Sequence, residues 1–169
     1  MKRDKWISVV FILTFILSFI FSAVSTFALN INVFILFILL VVIILIGIIF
    51  DMIGVAVLSC DEATFHAKAS NKIKGSKESI KLIKSSNKTS SVCNDVIGDI
   101  CGIISGSVSS SLVLLLFKDN LIVSVLVTAC LSSITVGGKA IGKKIAIKHC
   151  EKIIFMVGKI LNKINIIKI

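Results

Sequence analysis

Residues 6–29 carry no charge, and across 33–58 the only charged residue is Asp51. A helix needs roughly 20 apolar residues to cross the hydrocarbon of a bilayer, so each run is long enough to span. Two more runs follow. Residues 91–117 are polar at the start, with Asn94, Asp95 and Asp99, and apolar at the end; residues 121–138 carry no charge. Backbone groups in lipid must be paired within their own segment, which makes helices the default. The Val and Ile content does not argue for strands, because the runs are continuous rather than alternating. The reading is all-α: a polytopic membrane protein with four transmembrane helices. The first two form a hairpin at Asn30 and Asn32, and the last two are joined by a turn at Lys118, Asp119 and Asn120. Composition agrees. Of 169 residues, 56% are hydrophobic, 17% are charged and none is proline, against about 25% charged in ordinary soluble domains. A water-soluble enzyme, a disordered tail and a secreted disulfide scaffold are excluded.

The charges orient the spans. The net charge is +10 with 19 Lys and Arg residues. All but Lys118 fall in three segments: Lys2 to Lys5, Lys68 to Lys88, and Lys139 to Lys168. The excess of basic residues in cytoplasmic loops places both termini and the middle segment in the cytoplasm, at the cell membrane. Small residues at Ser22, Ala23, Val24 and Ser25 leave signal-peptide cleavage open as an alternative, which would leave three spans. Residues 62–91 are basic, with Phe65, Ala69, Ile73, Ile80 and Ile83 at near-helical intervals. They read as one or two amphipathic juxtamembrane helices broken at Gly75-Ser76, with lysines on the wet face. The tail beyond Lys139, with Glu151 as its only acid, reads as a further interfacial helix drawn to anionic lipid headgroups. The middle segment and the tail hold no arginine and a membrane surface accounts for their charge, so no nucleic-acid partner is expected.

The five cysteines form no Cys-x-x-Cys pair, and reduced thiols are expected. His66 and His149 are isolated in the sequence, and no nucleophile–base pair, phosphate loop or metal-hydrolase motif is present, so the chain is not read as an enzyme. No covalent cofactor is expected. Carboxylates within a bilayer are costly and mark function. Asp51 lies in the second run, Asp61 and Glu62 at its end, and Asp95 and Asp99 near the start of the third. Ser59, Thr64, Ser90, Ser91 and Asn94 surround them with the oxygen chemistry that hard cations prefer. The competing reading is that these acids pair with lysines at the interface. Gly98, Gly102 and Gly106 repeat every four residues, a row that lets another helix backbone approach closely, within the chain or across a homodimer.

Three blocks resemble the transmembrane domain of the CNNM/CorC family of Mg²⁺ transport proteins, its CorB-like group included. Leu58-Ser59-Cys60-Asp61-Glu62-Ala63-Thr64 is similar to the Ser-x-x-Glu-x-Ala stretch that ends the family's first helix. The segment from Ile97 to Gly106 resembles its glycine-rich next helix. The segment from Gly138 to Ile153 is similar to its Gly-Glu-x-x-Pro-Lys-x-x-Ala-x-x-x-x-Glu-x-Ile signature, matching at Gly138, Lys143, Ala146, Glu151 and Ile153. The resemblance implies a three-span bundle with a belt of surface helices, usually dimeric. It divides the chain into an N-terminal helix and short outer loop (1–32), a CNNM-like domain (33–157) with surface helices at 62–91, and a basic amphipathic tail (158–169). It implies Mg²⁺ as the bound or transported ion; the candidate ligands in this sequence are Ser59, Glu62 and Asp99, with Asp51 and Asn94 as further neighbours. Two departures stand out. Lys139 occupies the place of a family glutamate that belongs to the Mg²⁺ site, and Gly142 that of a proline. The CBS pair and acidic domain that commonly follow have no counterpart here, so nucleotide regulation is not implied.

Two readings of Lys139 follow. Either Asp99 supplies the lost carboxylate, or Lys139 reaches Asp99 or Glu62 and fills the site as a tethered cation. The leading function is a divalent-cation (Mg²⁺) transporter or a degenerate relative of one. The alternatives are a small membrane adaptor or accessory subunit, and a holin-like lesion former, against which the long middle segment speaks.

Overall fold

The computed structural model describes residues 2–29, 32–117 and 121–164. The expected turns at Asn30 and at 118–120, and the end of the basic tail at 165–169, lie outside the described residues. Within them every regular element is helical. In chain order these are α1 (Lys2–Leu29), α2 (Val33–Ser59), α3 (Glu62–Ser70), α4 (Ser76–Lys84), α5 (Ser86–Ser91), a π-helical segment (Val92–Gly98), α6 (Asp99–Leu116), α7 (Leu121–Lys148) and α8 (Cys150–Ile164). Three stretches are long and apolar enough to cross a membrane: Val33–Ser59, Ser86–Leu116 and Ile122–Lys148. The N-terminal helix adds a shorter apolar stretch, Trp6–Ile20. On it Phe11, Phe15 and Phe19 are exposed, four residues apart and therefore on one side of the helix.

Local chemistry explains the punctuation between helices. Asp61 caps α3, its side chain accepting from the Ala63 N–H at 3.1 Å, which satisfies one of the orphan donors of the first turn. The expected break at Gly75 is present, with Gly75 left-handed at φ 93°. A further break at Ser85 lies outside the expected pattern. There the Ser85 hydroxyl donates to the Lys81 carbonyl at 2.9 Å, a local bond that competes with the helical ladder. Helix α7 also outruns its apolar sequence. It continues past Gly138 to Lys148, because lysine and alanine are good helix formers whether or not they face lipid.

The described chain divides into two compact units, Met1–Ile48 with Asp95–Ala140, and Ile49–Asn94 with Ile141–Ile169. In the first, Leu36, Leu40 and Ile43 of α2 meet Val96, Ile100, Cys101, Ile104, Val108 and Leu112 in a buried core. The spacing of 100, 104, 108 and 112 keeps one face of α6 inward. Val10 and Leu17 of α1 and Leu131 of α7 pack against it. In the second unit, Ala56 and Val57 of α2 share a core with Phe65, Ala146 and Ile154.

Within that second unit α4 and α8 come into near backbone contact. A Cβ on Gly158 would lie 2.5 Å from the Gly75 carbonyl oxygen and closer still to the Ser79 hydroxyl. The Ser79 hydroxyl donates to the carbonyls of Gly75 (2.9 Å) and Ile154 (3.2 Å). Small residues on both helices therefore permit the crossing, as in other close helix pairs. Lys68 stands over the rings of Phe65 and Phe155, and Lys159 over Phe155 at 4.5 Å, cation–π contacts that tie the lysines to the core's edge.

Candidate functional site

In the second unit, α2 ends in the serine–glutamate stretch. Ser59 is exposed, and its hydroxyl donates to the Val55 carbonyl of its own helix at 2.9 Å. Glu62 opens α3 and holds two partners: His66 Nε2 at 2.8 Å and Lys84 Nζ at 3.4 Å. The His66 hydrogen bond, reinforced by Lys84, holds the Glu62 carboxyl below its ordinary range. Across α3 and α8, Glu151 accepts from the Thr64 hydroxyl at 3.2 Å and pairs with Lys68 at 3.7 Å. The Cys60 thiol is pushed up, chiefly by burial and then by its hydrogen bond with Cys150. All five cysteines are free thiols.

Deeper along α2, Asp51 is 3% exposed. One turn on, Gly54 lies against the Asn94 amide so tightly that a Cβ there would overlap its oxygen. The Asn94 amide nitrogen donates to the Ser90 hydroxyl at 3.2 Å. Its oxygen, Oδ1, is buried without a hydrogen-bond partner. Most buried acceptors are satisfied, which sets the Asn94 oxygen apart; Gly54 and Ser90 are its neighbours. The i, i+4 spacing of Ser90 and Asn94 is the sequence signal for their bond.

In the first unit, Asp95 and Asp99 are both exposed. Lys139 on α7 is half-buried, and its ammonium donates to the Gly98 carbonyl at 2.8 Å. That carbonyl belongs to the residue before Asp99, at the last position of the π-helical segment, a geometry that recurs at functional sites. Two glycines lie alongside the side chain. A Cβ at Gly102 would stand 3.7 Å from the ammonium nitrogen, and one at Gly47 would stand 3.8 Å from Cε and 3.0 Å from Cys101 Cβ. The expected glycine row divides accordingly. Gly98 is buried and Gly102 faces the lysine, while a Cβ at Gly106 would meet nothing within 4 Å. Beside the ammonium lies a groove of about 300 Å³ lined by Gly102, Ser105, Gly106, Ser109, Ser132, Thr135, Val136 and Lys139.

The ligand set read from the sequence thus falls into two parts, Ser59 and Glu62 in one unit, and Asp99 and Lys139 in the other. Among the described residues, no three His, Cys, Asp or Glu side chains gather as a metal centre would need. Each unit offers hard oxygen of its own, Asp51 and Asn94 Oδ1 in the second and the Gly98 carbonyl in the first, chemistry suited to Mg²⁺ or to an ammonium. The sequence profile described as the Cyclin M transmembrane N-terminal domain (CNNM) matches residues 37–168. No curated protein and no solved structure matches the chain.

Proposed function

Since the chain belongs to the CNNM transmembrane-domain family, and so is a membrane protein related to Mg²⁺ transporters, we propose that it binds Mg²⁺ as cargo and carries it across the cell membrane. One observation carries the reading: the Asp51 carboxylate is 3% exposed within a strongly apolar helix, in the same unit as the unpartnered Asn94 oxygen. A carboxylate kept out of water in a membrane helix is maintained for ion traffic more readily than for stability. Carrier-like gating suffices, with no covalent chemistry and no enzymatic step.

The decisive experiment is Mg²⁺ flux into liposomes reconstituted with the full chain. Asp51→Asn and Asn94→Ala are expected to abolish uptake. The same series carries Ser59→Ala, Glu62→Gln and Asp99→Ala, which test the candidate ligands read from the sequence. Parent liposomes no leakier to Mg²⁺ than empty ones would overturn the reading. The alternative, a small membrane adaptor or accessory subunit, draws on the open groove at Gly106, which a second helix, such as one from a homodimer partner, would fill. Cysteine cross-linking from position 106, measured alongside flux, separates the two.

The fourth crossing, by α1, and the cytoplasmic placement of both termini follow from the charge distribution. Labelling single cysteines at positions 2 and 163 with an impermeant maleimide in intact cells tests this placement. Labelling of either without permeabilisation would refute it.

A further inference from the structure

We propose that the cleft between the α3–α4 turn and α8 binds a phosphomonoester, the headgroup of phosphatidic acid or of another lipid ending in that group. The cleft holds about 350 Å³ and lies wholly within the second unit. Lys72, Lys74 and Lys77 line it with Glu78, Ile73 and, from α8, Asn162. Other lysines of this unit have partners: Lys68 pairs with Glu151, Lys84 with Glu62, and Lys159 stands over Phe155. Among the described residues no carboxylate pairs with the three cleft lysines, neighbouring Glu78 included. Three ammonium groups against one carboxylate leave the cleft at +2. A phosphomonoester carries about −1.5 to −2 near neutral pH and presents three strong acceptor oxygens. The lysine heads and the Asn162 amide supply donors for them. A phosphodiester headgroup, with a single charge, matches this cleft less well.

The backbone sets one of these lysines apart. Helix α3 ends with the Lys72 N–H donating to the Ala69 carbonyl at 3.0 Å and the Ile73 N–H to the Lys68 carbonyl at 3.2 Å, the bond pair of a Schellman motif. Lys72 takes the left-handed position of that motif at φ 55°, where glycine is favoured for its missing Cβ. A residue held against local preference in this way points to a use for its side chain, and the Lys72 side chain lines the cleft. Apolar surface favours a lipid over free phosphate as the source. Ile73 is exposed at the cleft, and Met156, Ile160 and Ile164 are exposed on α8, surface that glycerol and acyl carbons would cover and a phosphate ion would not.

The test follows thermal unfolding of the full chain by circular dichroism in phosphatidylcholine nanodiscs without Mg²⁺, so that the ion reading stands or falls separately. Phosphatidic acid and phosphatidylglycerol are added at matched lipid charge. Phosphatidic acid is expected to give the higher melting temperature. Its content at half-effect should rise about fivefold for each of Lys74→Gln and Lys77→Gln, the worth of one lysine near an anionic surface. Lys72→Gly separates binding from folding: it relieves the left-handed backbone, so it should be at least as stable as the parent in pure phosphatidylcholine while losing affinity by the same factor. Glu78→Gln should move the half-effect the other way. Equal melting in the two anionic lipids would overturn the site. So would a preference for phosphatidic acid that survives in Lys72→Gly and in the Lys74→Gln/Lys77→Gln pair. Glycerol phosphate added to phosphatidylcholine nanodiscs distinguishes the source; a shift there equal to that of phosphatidic acid, lost in the same variants, would overturn the lipid in favour of a soluble phosphomonoester.

Discussion

Replacing Gly158 with alanine tests whether the α4–α8 crossing organises the second unit. In an unobstructed helix this change is stabilising by about 1 kcal/mol, because glycine is the poorer helix former. Here the new Cβ would lie 2.5 Å from the Gly75 carbonyl oxygen and 3.1 Å from the Ser79 backbone nitrogen. Both are backbone atoms and cannot rotate aside. Ser79 is fully buried, and its hydroxyl bonds to Gly75 and Ile154 leave it little room to give. Overpacking of this kind costs about 1–3 kcal/mol, and rigid backbone on the receiving side places it in the upper part of that span. The net loss is therefore about 1–2 kcal/mol after the propensity gain. Gly106→Ala is the matched control, since its Cβ meets nothing within 4 Å and a gain of roughly 0.5–1 kcal/mol is expected. Thermal unfolding in detergent, followed by circular dichroism, reads both, at about 2–4 °C per kcal/mol for a chain of this size. Gly158→Ala should melt several degrees below the parent and Gly106→Ala at or slightly above it. A Gly158→Ala protein as stable as the parent would mean that the two helices do not touch as described.

Further outcomes follow from the charged and thiol groups. Glu62 has a carboxyl held below its ordinary value of 4.5 by His66 and Lys84. The stability it contributes is therefore present above that value and is lost as pH falls through the lower, folded one. Glu62→Gln should flatten the acid side of the stability–pH profile, and an unchanged profile would show the pairs contribute nothing. Cys60, with its thiol pushed up by burial and by Cys150, should resist maleimide at pH 8 in the folded protein and react once unfolded in SDS, because the thiolate is the nucleophile; prompt labelling in the native state would count against the described packing. On α8, Lys152, Lys159 and Lys163 are exposed beside the exposed Met156, Ile160 and Ile164, the pattern of an interfacial helix. Nanodiscs containing phosphatidylglycerol should raise the melting temperature over phosphatidylcholine ones, and changing the three lysines to glutamine should erase the difference, at about 1 kcal/mol per lysine near an anionic surface.

The long apolar runs are legible because membrane insertion acts on composition over some 20 residues, and all three candidate spans coincide with such runs. The π-helical segment is not legible. A shift from 3.6 to a wider turn over Val92–Gly98 changes which residues align only slightly, and Cys93, Asn94 and Asp95 are compatible with either ladder. The extension of α7 past Gly138 escapes a hydropathy reading because the hydrogen-bonded ladder does not stop where apolarity does. At the site, Lys139 stands out as the first charge after a long uncharged run, but its acceptor is a backbone oxygen, and every residue has one. Asp51 and Asn94 are visible as polar intruders. That Gly54 presses on Asn94 depends on how the helices rotate about their axes, which small apolar neighbours on every side leave undetermined in the sequence.

Ile154 of α8 packs in one core with Ala56 and Val57, little more than a turn beyond Asp51 on the same rigid helix. Whatever displaces α8 against this core therefore bears first on the end of α2 nearest the buried carboxylate, so that the C-terminal helix and the charge within the span are held in one packing arrangement.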